Sequence, residues 1–291
     1  MQVAILAENT ALNDNFGAEH GLSVWLSSAQ GTYLVDTGAS SLFACNARKL
    51  KLNLNDVETL ILTHGHADHT GGVATFLANN SKAKMVFTAK AWTQGHYSLK
   101  ATGLKDISFN LEEPLLAARC LAFEDEVLVL NPAVTLFKTL SFPFAKPSCN
   151  ANLYMGPKGL GGNTAVPSLS NSGLMRDDFS HECSVLVRTL DNKVVLCAGC
   201  AHNGILNILE TAFNILGGKY PDYCIGGMHL SGNSMQNIAS SEQIVKLAQG
   251  LKVTKTKFYT GHCTGEYAFN ILKEQLGAQI EAIKSGLEFE L

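Results

Sequence analysis

The chain has no surplus of positive charge: among its 291 residues, 22 Lys and Arg stand against 25 Asp and Glu, a formal net charge of -3. A protein that grips nucleic acid neutralises phosphates with a basic stripe or patch. None is present, so nucleic acid is not an expected partner and a nuclease reading loses support. Long apolar runs are missing too. Nothing approaches the roughly 20 apolar residues of a membrane-spanning helix, so no membrane partner is expected. The opening stretch Met1–Glu8 lacks the basic segment of a secretory leader, and its short apolar run reads as a first strand. Without an export signal, the eight cysteines (45, 120, 149, 183, 197, 200, 224 and 263) read as reduced thiols rather than a disulfide framework. The expected compartment is the cytoplasm. No internal repeat is detectable.

What the chain does contain is core-forming material. A hydrophobic content of 46% and 26 glycines suit an extensive core with many tight turns, and one domain spanning 1–291 is expected. Apolar, β-rich runs at Val3–Ala7, Leu22–Leu26, Thr32–Val35, Thr59–Leu62 and Lys84–Ala89 predict strands. Ser41–Leu50 and Gly72–Leu77 predict helices between them. Later, Ser184–Arg188 and Lys193–Ala198 predict a hairpin turning at Asp191-Asn192. A helix over Ile205–Leu216 stopped by Gly217-Gly218, a helix over Gln236–Gln249, a strand at Lys257–Thr260 and a helix over Glu266–Leu276 follow. Between the two halves, from about 100 to 178, the pattern loosens through Glu112-Glu113-Pro114, Phe142-Pro143-Phe144, Gly156–Asn163 and Ser168–Gly173. An insertion or lid is expected there, with a disordered surface excursion as the alternative.

The chemistry concentrates in Leu60-Ile-Leu-Thr-His64-Gly-His66-Ala-Asp68-His69-Thr-Gly-Gly72, an apolar strand running into a tight loop. Imidazoles and a carboxylate are ligands for Zn²⁺ or Fe²⁺, and so dense a cluster at a strand end can serve two ions at once. Cys197 and Cys200 also form Cys-x-x-Cys. No second pair follows and Cys197 lies inside an apolar strand, so a structural role is preferred to a redox or zinc-knuckle one.

The His-x-His-x-Asp-His run resembles the signature of the metallo-β-lactamase superfamily. That resemblance implies an α/β fold, a four-layer αββα sandwich of two mixed sheets flanked by helices, with the metals at one edge. It implies two divalent metal ions, zinc first, with iron or manganese as alternatives. His64 and His66 then belong to one metal position, Asp68 and His69 to the other. Asp68 is also implied as the catalytic residue that orients the nucleophile. The remaining implied ligands are His181, just before a strand, His202, and His262 in Tyr259-Thr-Gly-His262-Cys-Thr-Gly. Cys200 and Asp36 are expected as ligands or supports, Asp36 by hydrogen-bonding a ligand histidine.

Further motifs are similar to one branch of the superfamily: Glu19-His20-Gly-Leu-Ser23, Asp36-Thr-Gly38, Gly199-Cys-Ala-His202-Asn-Gly-Ile205, Gly226-Gly-Met-His229-Leu230 and Gly261-His-Cys-Thr-Gly265. The branch is named for a 7,8-dihydropterin-6-methyl-4-(β-D-ribofuranosyl)-aminobenzene-5′-phosphate synthase. His229 and His20 are candidate substrate-binding residues, and His96 is a further pocket candidate. The resemblance implies a metallo-hydrolase that acts with a metal-bound hydroxide on a small phosphorylated or ester-type molecule. The alternatives are a metal-dependent synthase joining a pterin to a ribosyl-aminobenzene phosphate, and a non-catalytic metal-binding protein.

Overall fold

The computed structural model describes residues 1–111, 119–160, 173–232 and 237–291. Glu112-Glu113-Pro114, most of the Gly- and Ser-rich stretch and the expected helix start at Gln236 lie outside the described residues.

Strand alternation sorts the apolar residues into layers. In β1 (Gln2–Ala7), Val3 and Ile5 face one core while Ala4 and Leu6 face another. In β14 (Val194–Cys197), Val195 and Cys197 join the side chains of Val3 and Ile5, whereas Val194 and Leu196 point away. Two sheets therefore pack face to face over one shared core. The first contains, in spatial order, β18 (Glu288–Glu290), β1, β2 (Ser23–Ser28), β3 (Gly31–Val35), β4 (Thr59–Ile61), β5 (Lys84–Thr88) and β8 (Cys120–Phe123). The second contains β17 (Ile280–Ala282), β16 (Lys257–Thr260), β15 (Tyr223–Gly226), β14, β13 (Ser184–Arg188), β10 (Val134–Phe137) and β9 (Val127–Asn131).

Helices cover both outer faces. Phe43 of α1 (Leu42–Lys49) and Phe76 of α3 (Val73–Asn79) pack on Leu34, Leu60 and Met85 of the first sheet. Ile208 of α5 (Ile205–Ile215), Ile244 of α6 (Ser241–Thr254) and Leu272 of α7 (Glu266–Leu276) pack on Leu196 and Phe258 of the second. The result is the expected αββα sandwich. Two short helices, α2 (Ala67–Thr70) and α4 (Ala89–Thr93), lie at the sheet edge that carries the His-rich loop.

The expected helix over Gln236–Gln249 is displaced along the chain. Helix α6 starts at Ser241 because Ser240 caps it: the Ser240 side chain accepts from Gln243 N and the Gln243 side chain accepts from Ser240 N. That reciprocal pair satisfies two of the free donors of a helix start. The segment from 100 to 178 supplies regular strands to both main sheets, β8, β9 and β10. Together with β6 (Gly95–Lys100) it also builds a small third sheet in the order β12 (Met175–Arg176), β11 (Leu153–Gly156), β6, β7 (Gly103–Asp106).

Candidate metal centre

Strands β3, β4 and β5 are mutually parallel, as are β14, β15 and β16. Their carboxyl ends converge at one edge of the sandwich. Asp36 follows β3, His64 follows β4, Cys200 and His202 follow β14, His229 follows β15 and His262 follows β16. His181 precedes β13, which is antiparallel to β14 and so presents its start at the same edge.

Four of these turns place a residue other than glycine in left-handed backbone: Asp36 (φ 60°), Ala201 (φ 57°), His229 (φ 47°) and His262 (φ 51°). Such conformations cost about 1–3 kcal/mol each and persist where the surroundings enforce them. Gly65, between the first two histidines, is required for a different reason. A Cβ there would stand 2.5 Å from the Ala91 carbonyl oxygen and 2.6 Å from His96 Nε2.

His64, His66 and His202 lie together, with Nε2 of each buried and without a hydrogen-bond partner among the described residues. The opposite nitrogen is anchored in two of them: His64 Nδ1 to Thr63 Oγ1 at 3.0 Å and His202 Nδ1 to Asn150 Oδ1 at 3.0 Å. The second group surrounds Asp68. Its Oδ2 lies 3.3 Å from His262 Nε2 and 3.9 Å from His69 Nε2, and His69 Nε2 lies 3.1 Å from Cys200 Sγ and 3.2 Å from His262 Nε2. Here too the far nitrogens are held. His69 Nδ1 donates to Asp36 Oδ2 at 2.7 Å, and His262 Nδ1 meets Asn9 Oδ1 at 2.9 Å.

These donors fit divalent ions. Ligand atoms around a tetrahedral ion with bonds of about 2.0–2.3 Å lie about 3.3–3.8 Å apart, close to the separations around His69 and Asp68. Orienting each imidazole through its outer nitrogen is the arrangement of ligating histidines. Leaving three imidazole nitrogens buried and unsatisfied would otherwise cost about 1–3 kcal/mol apiece.

Electrostatics agree. Burial, reinforced by neighbouring imidazoles, pushes His64, His66 and His202 well below the ordinary histidine range, so their lone pairs are free at neutral pH. Burial also disfavours the charged forms of His69 and Asp68, but their partners outweigh it. The Asp36 and Asp68 carboxylates raise His69 to about 9, and His69 and His262 hold Asp68 well below the usual carboxylate range.

A further group, with ligand atoms within 4.8 Å of one another, joins His66, His96 and Asp177 to His181. Its Nδ1 accepts from Gly65 N at 3.1 Å and its Nε2 donates to Asp177 Oδ2 at 3.2 Å, so both ring nitrogens are engaged. Asp177 Oδ2 also accepts from His96 Nδ1 at 3.3 Å. His20 stands at the rim, half-exposed, with Nε2 3.4 Å from Asp68 Oδ2. His229 is buried beside His202, ring centroids 4.1 Å apart.

Several contributors were invisible in the sequence. Asn9, Asn150 and Asp177 gave no signal because their partners are distant in the chain. Glu182 is a buried carboxylate that accepts from His202 N at 2.6 Å and Asn203 N at 2.8 Å, fixing the turn that presents His202. Only its place beside His181, ahead of a strand, marked it.

A cavity of about 460 Å³ opens onto these groups. Its far wall includes Ser98, Lys100 and Lys105 of the β6–β7 hairpin. Ser98 pairs with Lys105 and Lys100 with Gly103, so the three side chains share one face of the hairpin. Among the described residues, Lys100 and Lys105 form no ion pair. No described helix is long and apolar enough to cross a membrane.

Residues 17–91 match the Metallo-beta-lactamase superfamily. A curated relative from Methanocaldococcus jannaschii, 7,8-dihydropterin-6-methyl-4-(beta-D-ribofuranosyl)-aminobenzene-5'-phosphate synthase, is 24% identical over 98% of this chain and 95% of its own length. The solved structure of Tm1679, described as a metal-dependent hydrolase of the beta-lactamase superfamily, is 24% identical with a TM-score of 0.79, covering 100% of this chain and 99% of that one. YhfI from Bacillus subtilis, a metallo-beta-lactamase fold protein, is 13% identical with a TM-score of 0.56 over 99% of each chain. The fold is the metallo-β-lactamase fold, and the resemblance to that superfamily and to the synthase-named branch is borne out. Such a fold, with these His and Asp clusters, implies divalent metal binding.

Proposed function

We propose that this chain, built on the metallo-β-lactamase fold, is a dinuclear metallo-hydrolase acting on a small anionic phosphoester or ester. The observation that carries the reading is the crowding of ligating side chains beside one cavity: His64, His66 and His202 form one group, and His69 Nε2 stands within 4 Å of Cys200, His262 and Asp68. His202 takes the third place in the first set, and His181 braces the loop through Gly65 and Asp177. The second set mixes imidazole, carboxylate and thiol, which suits zinc or iron.

Two divalent ions held there would supply Lewis-acid polarisation of the scissile group and lower the pKa of attacking water. The chain's own residues do the rest. Asp68 stays ionised and directs its carboxylate toward the cavity, placing a proton acceptor beside the attacking water. Asp36 keeps a proton of His69 on Nδ1, so that Nε2 is the atom that would face a metal. Lys100 and Lys105, which form no ion pair among the described residues, offer two cations to the anionic end of the substrate, with Ser98 as an added hydrogen-bond donor.

The test is metal analysis of protein purified without added metal, followed by a screen of phosphomonoesters, phosphodiesters and lactones. His66→Ala and Asp68→Ala are expected to lose metal and turnover together; full turnover by a metal-free variant overturns the reading. Lys100→Glu with Lys105→Glu raises KM for an anionic substrate at least tenfold and leaves an uncharged lactone unaffected.

A second reading is favoured by the likeness, over nearly the whole chain, to a relative named as a synthase. On that reading the same lysines hold a ribosyl phosphate and the centre assists a condensation. Incubation with a dihydropterin and a ribosyl-aminobenzene phosphate separates the two, since a condensed product with no hydrolysis favours the synthase.

A further inference from the structure

Beyond the two donor sets, the side chains of Cys263 and His229 are buried and belong to neither. Cys263 and His229 approach Cys200 from the other side, and the two sulfurs and a His229 nitrogen all lie within 4.8 Å of one another. His229 is only 9% exposed, and both of its ring nitrogens are buried with no conventional N or O hydrogen-bond partner among the described residues. Its left-handed backbone turns that ring inward. The site is cleared for the thiol as well: a Cβ on Gly227 would stand 2.3 Å from Cys263 Sγ. Cys263 itself is 4% exposed, and its Sγ lies 3.5 Å from the Cys200 carbonyl oxygen.

We infer that Cys200, His229 and Cys263 form a third metal-binding set, soft and thiolate-bearing, joined to the dinuclear centre through Cys200. Two sulfurs and one imidazole select Zn²⁺, Cu⁺ or Fe²⁺ over the hard, oxygen-seeking Mg²⁺ and Ca²⁺. Cys200 gives up its single proton once, to whichever of the two sites fills first, and any proton on the Cys263 thiol goes to solvent through the open cavity on binding. No oxidation takes place. Cys197 takes no part, because it faces the core between the sheets.

The full-length protein, stripped of metal and titrated with Co²⁺, tests this. Wild-type protein binds three equivalents, with a thiolate-to-cobalt charge-transfer band in the near ultraviolet. Cys263→Ser and His229→Ala, checked for fold by circular dichroism, each bind two equivalents, and Cys263→Ser weakens the band. Cys197→Ser keeps all three. A third equivalent that survives in both Cys263→Ser and His229→Ala overturns the proposal. Native mass spectrometry of wild-type protein with Zn²⁺ gives a reading that needs no variant: three zinc ions support the set, and two or fewer overturn it. Failure of the dinuclear reading looks different, since there His202→Ala leaves metal content unchanged.

Discussion

At the scale of single residues, the site depends on groups that do not themselves bind metal. Asp36 accepts from Thr63 N at 2.8 Å and from Thr63 Oγ1 and His69 Nδ1, each at 2.7 Å. Asn tolerates the left-handed backbone there, so Asp36→Asn keeps the fold while losing the charge that anchors His69. Metal affinity is expected to fall about 10–100-fold, the usual cost of a lost support to a ligating histidine, as read by competition with a chromophoric chelator. Proton linkage gives a second test. His64, His66 and His202 titrate well below their unfolded value, and burial with His181 nearby takes His96 down to about 4. Below about pH 6.5 the unfolded chain therefore binds more protons at these four positions, and the metal-free fold loses stability. His69 acts in the opposite sense: raised to about 9, it contributes fully below about 6.5, and that contribution is lost as pH rises through 9. Thermal melts of metal-free protein should peak between these limits and fall toward pH 5. A melting temperature constant from pH 7 to 5 would contradict the assignment of buried neutral histidines.

Among the elements, the loop between β4 and α3 and the helix α6 respond differently to substitution. Gly65→Ala forces a methyl against Ala91 O and His96 Nε2. The loop must shift and take His64 and His66 with it, so loss of bound metal is expected with the sheets intact by circular dichroism. Ser240→Ala removes the cap of α6 and should cost about 0.5–2 kcal/mol in denaturant unfolding, leaving metal content unchanged. That cap also explains why the sequence misplaced the start of α6. The apolar periodicity extended toward Gln236, whereas the capping pair of Ser240 and Gln243 was the stronger boundary. The hairpin of β13 and β14 was legible because Asn192, in left-handed backbone (φ 60°), lies in the turn predicted at Asp191-Asn192.

For the molecule as a whole, the two sheets make their metal-facing edge by bringing together turns separated by up to about two hundred residues. His69 Nε2 and His262 Nε2, 193 positions apart, stand 3.2 Å from each other. On the proposed reading an ion held there would tie the first sheet to the second, and chelation should then lower the melting temperature. Free metal at a hundredfold over Kd stabilises by about 2.7 kcal/mol, which at about 2–4 °C per kcal/mol for a chain this long is a shift of about 5–10 °C. Equal melting temperatures with and without chelator would mean that no ion bridges the sheets.

The sequence by itself determined the alternation that sorts residues into layers, the strand ends that carry the candidate ligands, and the dense run from His64 to His69, because these depend on neighbours in the chain. It could nominate His181, His202, Cys200 and His262 but not apportion them. Only the tertiary structure placed His202 with His64 and His66 and grouped His181 with His66, His96 and Asp177. The same holds for the supports Asn9, Asn150 and Glu182, and for the approach of Cys263 and His229 to Cys200. A ligand's role depends on where its lone pair points, and that direction is set by hydrogen bonds to residues far away in sequence.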